Sequence, residues 1–269
     1  MSDWLLAHGA GVRFAVFCGF LAALAALELR RPRRRLSAPK GPRWFANLAI
    51  VAIDAAALQL VFRLVMPALA IGAALFAEGR GWGLFNLLEL PRWLEGGLAF
   101  LALDCLIYWQ HRALHLEPFW RLHMMHHADL DLDVSSGLRF HPLEIVLSMA
   151  LKMLAVLALG APALSVLVFE VALNATSMFN HANLRLPAGL DRRLRLLLVT
   201  PDMHRVHHST IRRETDSNFG FNLPWWDRLF GTYRPQPERG HDGMSIGLAA
   251  KRGPECFRLL AMLAMPFRR

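Results

Sequence analysis

Residues Val12–Leu29, VRFAVFCGFLAALAALEL, are followed at once by Arg30, Arg31, Arg33, Arg34 and Arg35. About 20 consecutive apolar residues span the hydrocarbon core of a bilayer as a helix. Arg13 stands at the edge of this run, and the arginine cluster comes after it. A secretory leader has the opposite order, with positive charge before its apolar run and a small-residue cleavage site behind it. The stretch is therefore expected to be a retained first span. Four more apolar runs follow. Phe45–Ala77 is long enough for a span and a partly buried extension, and is interrupted by Asn47, Asp54 and Arg63. Trp93–Tyr108 is the third run. Leu143–Leu159 and Pro162–Phe179, joined through Gly160-Ala161-Pro162, read as a tight hairpin with Lys152 and Glu170 as its polar exceptions. The expected fold is an all-α integral membrane bundle of about five spans with a cytosolic helical cap.

Composition agrees. Hydrophobic residues make up 55% of the 269 and charged residues 19%, which excludes disorder and exceeds the usual apolar share of a soluble domain. The formal net charge of +9 would suit either nucleic acid or anionic lipid. Its placement decides between them. Residues 30–43 carry seven Lys/Arg and residues 182–269 carry fifteen, whereas the turn at 160–162 carries none. Five spans with the N-terminus outside put every basic segment on the cytoplasmic side, as the positive-inside rule requires. The charge is then explained by topology and lipid headgroups, and no nucleic-acid partner is expected. Arginine outnumbers lysine 27 to 3, a bias associated with GC-rich bacterial genomes, so the expected location is a bacterial inner membrane. The three cysteines, Cys18, Cys105 and Cys256, form no CxxC, so neither a disulfide framework nor a cysteine zinc site is read. The short apolar segment Pro254–Phe267 reads as an interfacial helix or a strap on the core.

The histidines carry the chemistry. Eight of the twelve fall in three motifs: HxxxH at His111 and His115, and HxxHH at His123, His126, His127 and again at His204, His207, His208. Residues three and four apart share a helix face, so each motif presents adjacent imidazoles, good ligands for iron, zinc, copper and nickel. A zinc site takes three or four protein ligands, and these histidines overfill it. Two six-coordinate ions offer twelve positions, and nine nitrogens would leave about three for water, oxygen or substrate. Two adjacent ions with open positions suit O2 activation, and iron is the natural choice. The carboxylate-bridged di-iron bundle is excluded because its Glu-x-x-His pairs are missing; HExxH is missing too, so a zinc protease is not supported. The preferred ninth ligand is His181, at the end of the last span. His141, beside Pro142, is a further candidate ligand, with a role in supporting the site or anchoring a loop preferred. Asp104, Glu144 and Asp202 are carboxylates that can either orient a ligated imidazole or make polar contacts elsewhere. His8 and His241 are isolated and carry no functional reading.

The sequence resembles the sterol desaturase and fatty acid hydroxylase superfamily of membrane di-iron oxygenases. The likeness runs from about Leu103 to Tyr233. It rests on the element from Asp104 through Tyr108-Trp109 to His111-Arg112 and His115, on His123–His127, on His141-Pro142-Leu143-Glu144, on Thr200-Pro201 with His204-Arg205 and His207-His208, and on the closing stretch Asn218–Tyr233. It implies a di-iron centre (two Fe ions) on the cytosolic side that uses O2 and two electrons to hydroxylate or desaturate a membrane lipid. Some members place a second histidine four residues before the one matching His181. Here that position is Ser177, so nine imidazoles are implied, with water or Asn180 completing the set. The chain shows no haem, flavin or iron–sulfur motif, which implies a separate electron donor, a ferredoxin or cytochrome b5-like protein with its reductase. The corresponding division is residues 1–92 for the N-terminal spans and basic loop, 93–235 for the catalytic domain and 236–269 for the tail. The rival readings are a metal transporter or sensor and a catalytically silent member.

Overall fold

The computed structural model describes residues 2–63, 69–88 and 90–268, with nothing said of the side chains of Ser2 and Asp3. It is helical throughout, with no β-strand among the described residues and only isolated bridges such as Pro32 with Leu184. Helix α1 is Gly9–Arg30, α2 Lys40–Phe62, α3 Leu69–Arg80, α4 Arg92–Leu114, α5 Trp120–His127, α6 Pro142–Leu159, α7 Ala163–His181 and α8 Pro201–His207. Shorter turns link them. The second apolar run thus divides into α2 and α3, and residues 64–68 of that run lie outside the described residues.

Four of the described helices, α1, α2, α6 and α7, are long and apolar enough to cross a membrane, with mean hydropathy of 2.0, 1.9, 2.0 and 1.3. About five were expected. The third run does form a helix, α4, but Arg92, Glu95, Asp104, His111 and Arg112 lower its hydropathy. It packs as an inner helix that runs from Gly96 beside Ser165, near the start of α7, to His111 beside His123 of α5, with Ala99, Leu103 and Ile107 buried against Met149, Val156 and Phe169. Phe14 on α1 and Leu60 on α2 are 70% and 79% exposed, faces suited to lipid rather than water.

The α6–α7 hairpin turns at Gly160, whose φ of 64° lies in the left-handed region. A Cβ there would stand 2.6 Å from the Trp82 carbonyl oxygen, so glycine also permits the close approach of the loop after α3. At the opposite end of the bundle, Arg43 is completely buried. Its guanidinium reaches Asp129 Oδ1 at 2.7 Å and Asp133 Oδ2 at 2.7 Å, and donates to the Asp131 carbonyl at 2.8 Å. Counted from hydropathy as one more basic loop residue, Arg43 is instead the core of the segment that follows α5. Glu28, at the end of the first apolar run, accepts from the backbone N–H of both Val134 and Asn183 at 2.7 Å. It thereby ties the segment after α5 to the segment after α7. The C-terminal apolar stretch packs through Cys256, Met262 and Met265 on Ala46, Ile50 and Met125, strapping α2 to α5.

Candidate metal centre

Four chain segments bring their histidines to one place. His111 and His115 come from the last turn and end of α4, His123, His126 and His127 from α5, His181 from the end of α7, and His204, His207 and His208 from α8 and its C-cap. Local sequence sets each up. Thr200 caps α8 and Pro201 opens it, pre-set to a helical φ. Gly137 lets the turn Val134–Leu138 press on α7 just ahead of His181, where a Cβ would meet the Ser177 carbonyl oxygen at 2.5 Å.

The nine rings form two groups. His111, His115, His123, His127 and His207 have potential ligand atoms all within 4.8 Å of one another, and so do His126, His181, His204 and His208. None of the nine is more than 3% exposed. The i, i+4 pairs stay together (111 with 115, 123 with 127, 204 with 208), because they share a helix face. The middle histidine of each HxxHH, His126 or His207, points to the other group. The groups adjoin: the His127 and His208 rings stack at 4.5 Å between centroids.

Six of the nine outward nitrogens have partners in the protein. His111 Nδ1 donates to the Phe219 carbonyl at 2.7 Å, His181 Nδ1 to the Ser177 carbonyl at 2.7 Å and His207 Nδ1 to the Ser217 carbonyl at 2.7 Å. His123 Nδ1 meets Glu144 Oε1 at 2.8 Å, His115 Nδ1 meets Asp216 Oδ1 at 3.2 Å and His126 Nδ1 the Arg139 carbonyl at 3.2 Å. These bonds place the ring proton on Nδ1 and leave Nε2 as a bare lone pair facing inward. Nε2 atoms then face one another: His111 and His123 at 3.1 Å, His126 and His181 at 3.0 Å, His181 and His204 at 3.1 Å, His204 and His208 at 3.3 Å. Among the described residues, the Nε2 atoms of His115, His127 and His207 and the Nδ1 atoms of His204 and His208 are buried without a hydrogen-bond partner.

Converging lone pairs repel unless a cation lies between them. Protons do not serve, because burial and the neighbouring imidazoles hold His126, His127, His204 and His208 well below the ordinary histidine range. His207 is pushed down to about 3, with burial as the main cause and the Ser217 carbonyl working against it. Metal ions fit. Two nitrogens about 2.1 Å from one ion and at right angles lie about 3.0 Å apart, the spacing seen here. The donor set is all nitrogen, and each group can hold one ion.

The other residues singled out by sequence lie outside both groups. His141 caps α6, with Nδ1 accepting from the Leu143 N–H at 3.2 Å and Nε2 at 3.1 Å from the Leu263 carbonyl. Asp104 contacts no described histidine; it accepts from Asn222 Nδ2 at 2.8 Å, Trp226 Nε1 at 2.8 Å and the Leu223 N–H at 3.2 Å. Asp202 is held by Arg205 and by Arg33 at 3.2 Å, with only a distant approach of 3.8 Å to His241. Asn180 donates to the Phe221 carbonyl at 2.7 Å, and Ser177 Oγ donates to the Gly137 carbonyl at 2.8 Å. Sequence reasoning missed the supports from Phe219, Ser217 and Arg139, which act through backbone carbonyls and so leave no trace in residue type. It also missed Asp227, which accepts from the N–H groups of Phe219 and Gly220 at 2.8 and 2.9 Å and fixes the loop carrying those carbonyls.

A cavity of about 330 Å³ opens beside the first group, with His111 and His123 in its wall. Ile107, Leu138, Phe140 and Met149 give it an apolar middle, while Arg13, Asp54, Lys152 and Glu170 line it as well.

Residues 97–232 match the fatty acid hydroxylase family model. The chain is 34% identical to an ornithine lipid hydroxylase of Rhizobium tropici over 61% of this chain and 47% of that protein. It is 32% identical to an alkylglycerol monooxygenase of Danio rerio over 74% of this chain and 43% of that protein. A very-long-chain aldehyde decarbonylase of Oryza sativa subsp. indica is 31% identical over 54% of this chain and 25% of that protein. The chain thus spans less than half the length of each of these relatives. No solved structure shows significant similarity to it. The match to the family model covers just over half of the chain, and the chain belongs to the fatty acid hydroxylase family.

Proposed function

We propose that this member of the fatty acid hydroxylase family is a membrane-bound di-iron oxygenase that hydroxylates or desaturates a C–H bond of a lipid, with O2 and two electrons from a separate donor. One observation carries the reading: two adjoining all-histidine groups with inward lone pairs border a largely apolar cavity among membrane helices. The names of the relatives, a lipid hydroxylase and a monooxygenase among them, point the same way.

In this reading His111, His115, His123, His127 and His207 hold one iron, and His126, His181, His204 and His208 hold the other. The iron pair supplies O2 activation and one-electron chemistry when bound. The chain supplies the rest. Glu144 and the carbonyls of Phe219, Ser217 and Ser177 keep Nδ1 of His123, His111, His207 and His181 protonated and their Nε2 free to ligate. Phe140, stacked on His126 at 4.5 Å, forms part of the wall that shields the rings. The cavity offers an apolar chain a place beside His111 and His123 from which bulk water is displaced. We assign the N-terminus to the outside and the histidines and C-terminus to the cytoplasm of a bacterial inner membrane, following the basic segments. Arg33, Arg185, Arg192, Arg195 and Arg228 line a surface depression on the histidine side together with Asp191, Asp202 and Asp242, a net positive face suited to an acidic ferredoxin or cytochrome b5-like donor.

The test is metal analysis of the purified protein together with lipid profiling of a deletion strain against its parent. Two irons per chain, reductant-dependent O2 uptake and a product differing by the mass of one oxygen or of two hydrogens are expected. Bound metal without O2 uptake, or metal moving across vesicles, would replace this reading with a silent scaffold or a transporter.

A further inference from the structure

The cavity beside the histidines is not uniformly apolar. Away from them, Arg13 of α1, Lys152 of α6 and Glu170 of α7 form one charged knot. Arg13 Nη1 lies 2.6 Å from Glu170 Oε2, and Lys152 Nζ lies 2.9 Å from Glu170 Oε1. Lys152 and Glu170 are 7% and 4% exposed. Arg13 is four residues into α1 and Glu170 seven residues into α7, about 6 and 10 Å from the helix ends remote from the metal centre. Along α6, Lys152 is eight residues beyond Glu144, the partner of His123, a rise of about 12 Å. The cavity therefore has imidazoles at one end and fixed charge at the other.

Ionisable side chains at membrane depth are costly, and they turn toward one another or toward a cavity. A tie between two helices needs one cation for one carboxylate. Here two cations share Glu170, which leaves one positive charge uncompensated within the knot. Asp54 of α2 also lines the cavity. It is 8% exposed, and its Oδ1 has no hydrogen-bond partner among the described residues. A buried acceptor left open in this way is costly unless a donor completes it. The surplus charge of the knot calls for an anionic ligand group, and Asp54, close to Glu144, offers a separate polar contact nearer the histidines.

We propose that the Arg13–Glu170–Lys152 knot anchors the anionic head, a carboxylate or phosphate, of an amphiphilic substrate. The substrate lies with its head toward the membrane face opposite the histidines and its chain directed at them. The anion balances the spare positive charge between Arg13 and Lys152. Anchor and metal end are about 12 Å apart along α6, so the carbon presented beside His111 and His123 is remote from the head. Oxidation then falls on the chain. Only this last step rests on the oxygenase reading; the anchoring does not.

Equilibrium binding to the purified full chain in non-ionic micelles, without turnover, tests this. The probes are dodecanoate, dodecyl phosphate, dodecanol and inorganic phosphate. The two anionic amphiphiles should bind roughly tenfold more tightly than dodecanol, and inorganic phosphate should not compete with them. Lys152→Met and Arg13→Gln should each bring the preference to within roughly twofold while dodecanol affinity is kept. Lys152→Arg should retain the preference. A role confined to tying helices together would leave that ratio unmoved in all three variants, and such a result would overturn the proposal. Equal affinity of the unaltered protein for dodecanoate and dodecanol would overturn it without any variant. Competition by inorganic phosphate would overturn it too, by making the knot a free-anion site. An unaltered protein that consumes O2 but shows no anion preference would remove the anchor alone, and an unaltered protein that shows the preference but consumes no O2 would remove the oxygenase reading alone.

Discussion

Arg43 offers the sharpest test of how the fold supports the metal centre. Its guanidinium makes five hydrogen bonds: two to Asp129 at 2.7 and 2.9 Å, one to Asp133 at 2.7 Å, one to the Asp131 carbonyl at 2.8 Å and one to Ser136 Oγ at 3.1 Å. Arg43, Asp129 and Asp133 are each 1% exposed or less. Arg43→Met keeps most of the volume and removes the charge, so two carboxylates remain buried. Breaking a buried ion pair from one side costs about 3–5 kcal/mol, a large part of the roughly 5–15 kcal/mol that holds a domain folded. The segment that loses its anchor follows directly on His127 and carries Gly137, which packs against Ser177 beside His181. Metal affinity should therefore fall as well, by about 10–100-fold, as it does when groups supporting metal ligands are removed. Thermal unfolding in detergent, followed by far-ultraviolet circular dichroism, measures the first effect and metal content under dialysis the second. Adding Asp129→Asn and Asp133→Asn to Arg43→Met should restore part of the stability, because the stranded charges go with the arginine. A loss below about 1 kcal/mol, the range of an exposed ion pair, would refute the reasoning.

Three further outcomes follow from the geometry. His126→Ala leaves three nitrogens in the smaller group, whereas His127→Ala leaves four in the larger; metal analysis should find close to one ion per chain in the first variant and more in the second. Loss of both ions from either variant would show that the groups do not bind separately. Glu144→Leu removes the acceptor that orients His123; metal affinity should drop about 10–100-fold while the unfolding temperature of the metal-free protein stays nearly unchanged. Burial pushes the Asp227 carboxyl up to about 6, against the hydrogen bonds from Thr232, Gly220 and Phe219 that pull it down. The folded chain thus holds this proton more firmly than the unfolded chain, whose aspartate titrates near about 3.9. The stabilisation is complete below about pH 4 and is lost as pH rises to about 6, a change of about 3 kcal/mol. Asp227→Asn should flatten that part of the stability profile, and an unchanged slope would remove Asp227 as its source.

Much of this protein is determined by local pattern. Apolar runs longer than a bilayer is thick become helices because the backbone has no other way to satisfy itself in lipid, and α1, α2, α6 and α7 follow directly. Hydropathy alone is a weaker guide where a helix owes its place to neighbours. Helix α4 is too polar to count as a span by composition, yet it is central because Asp104 and His111 turn toward partners in residues 219–226. The histidines were visible as motifs because spacing on a helix decides which side chains share a face. Their division between two groups was not, since it depends on how α4, α5, α7 and α8 are rotated against one another. Nor could one dimension foretell that Glu28 and Arg43, distant in sequence from every histidine, would bind the segments behind them. Hydrogen bonds to backbone carbonyls and buried ion pairs are set by proximity in space, and only the folded chain brings Phe219, Ser217 and Asp129 to their partners.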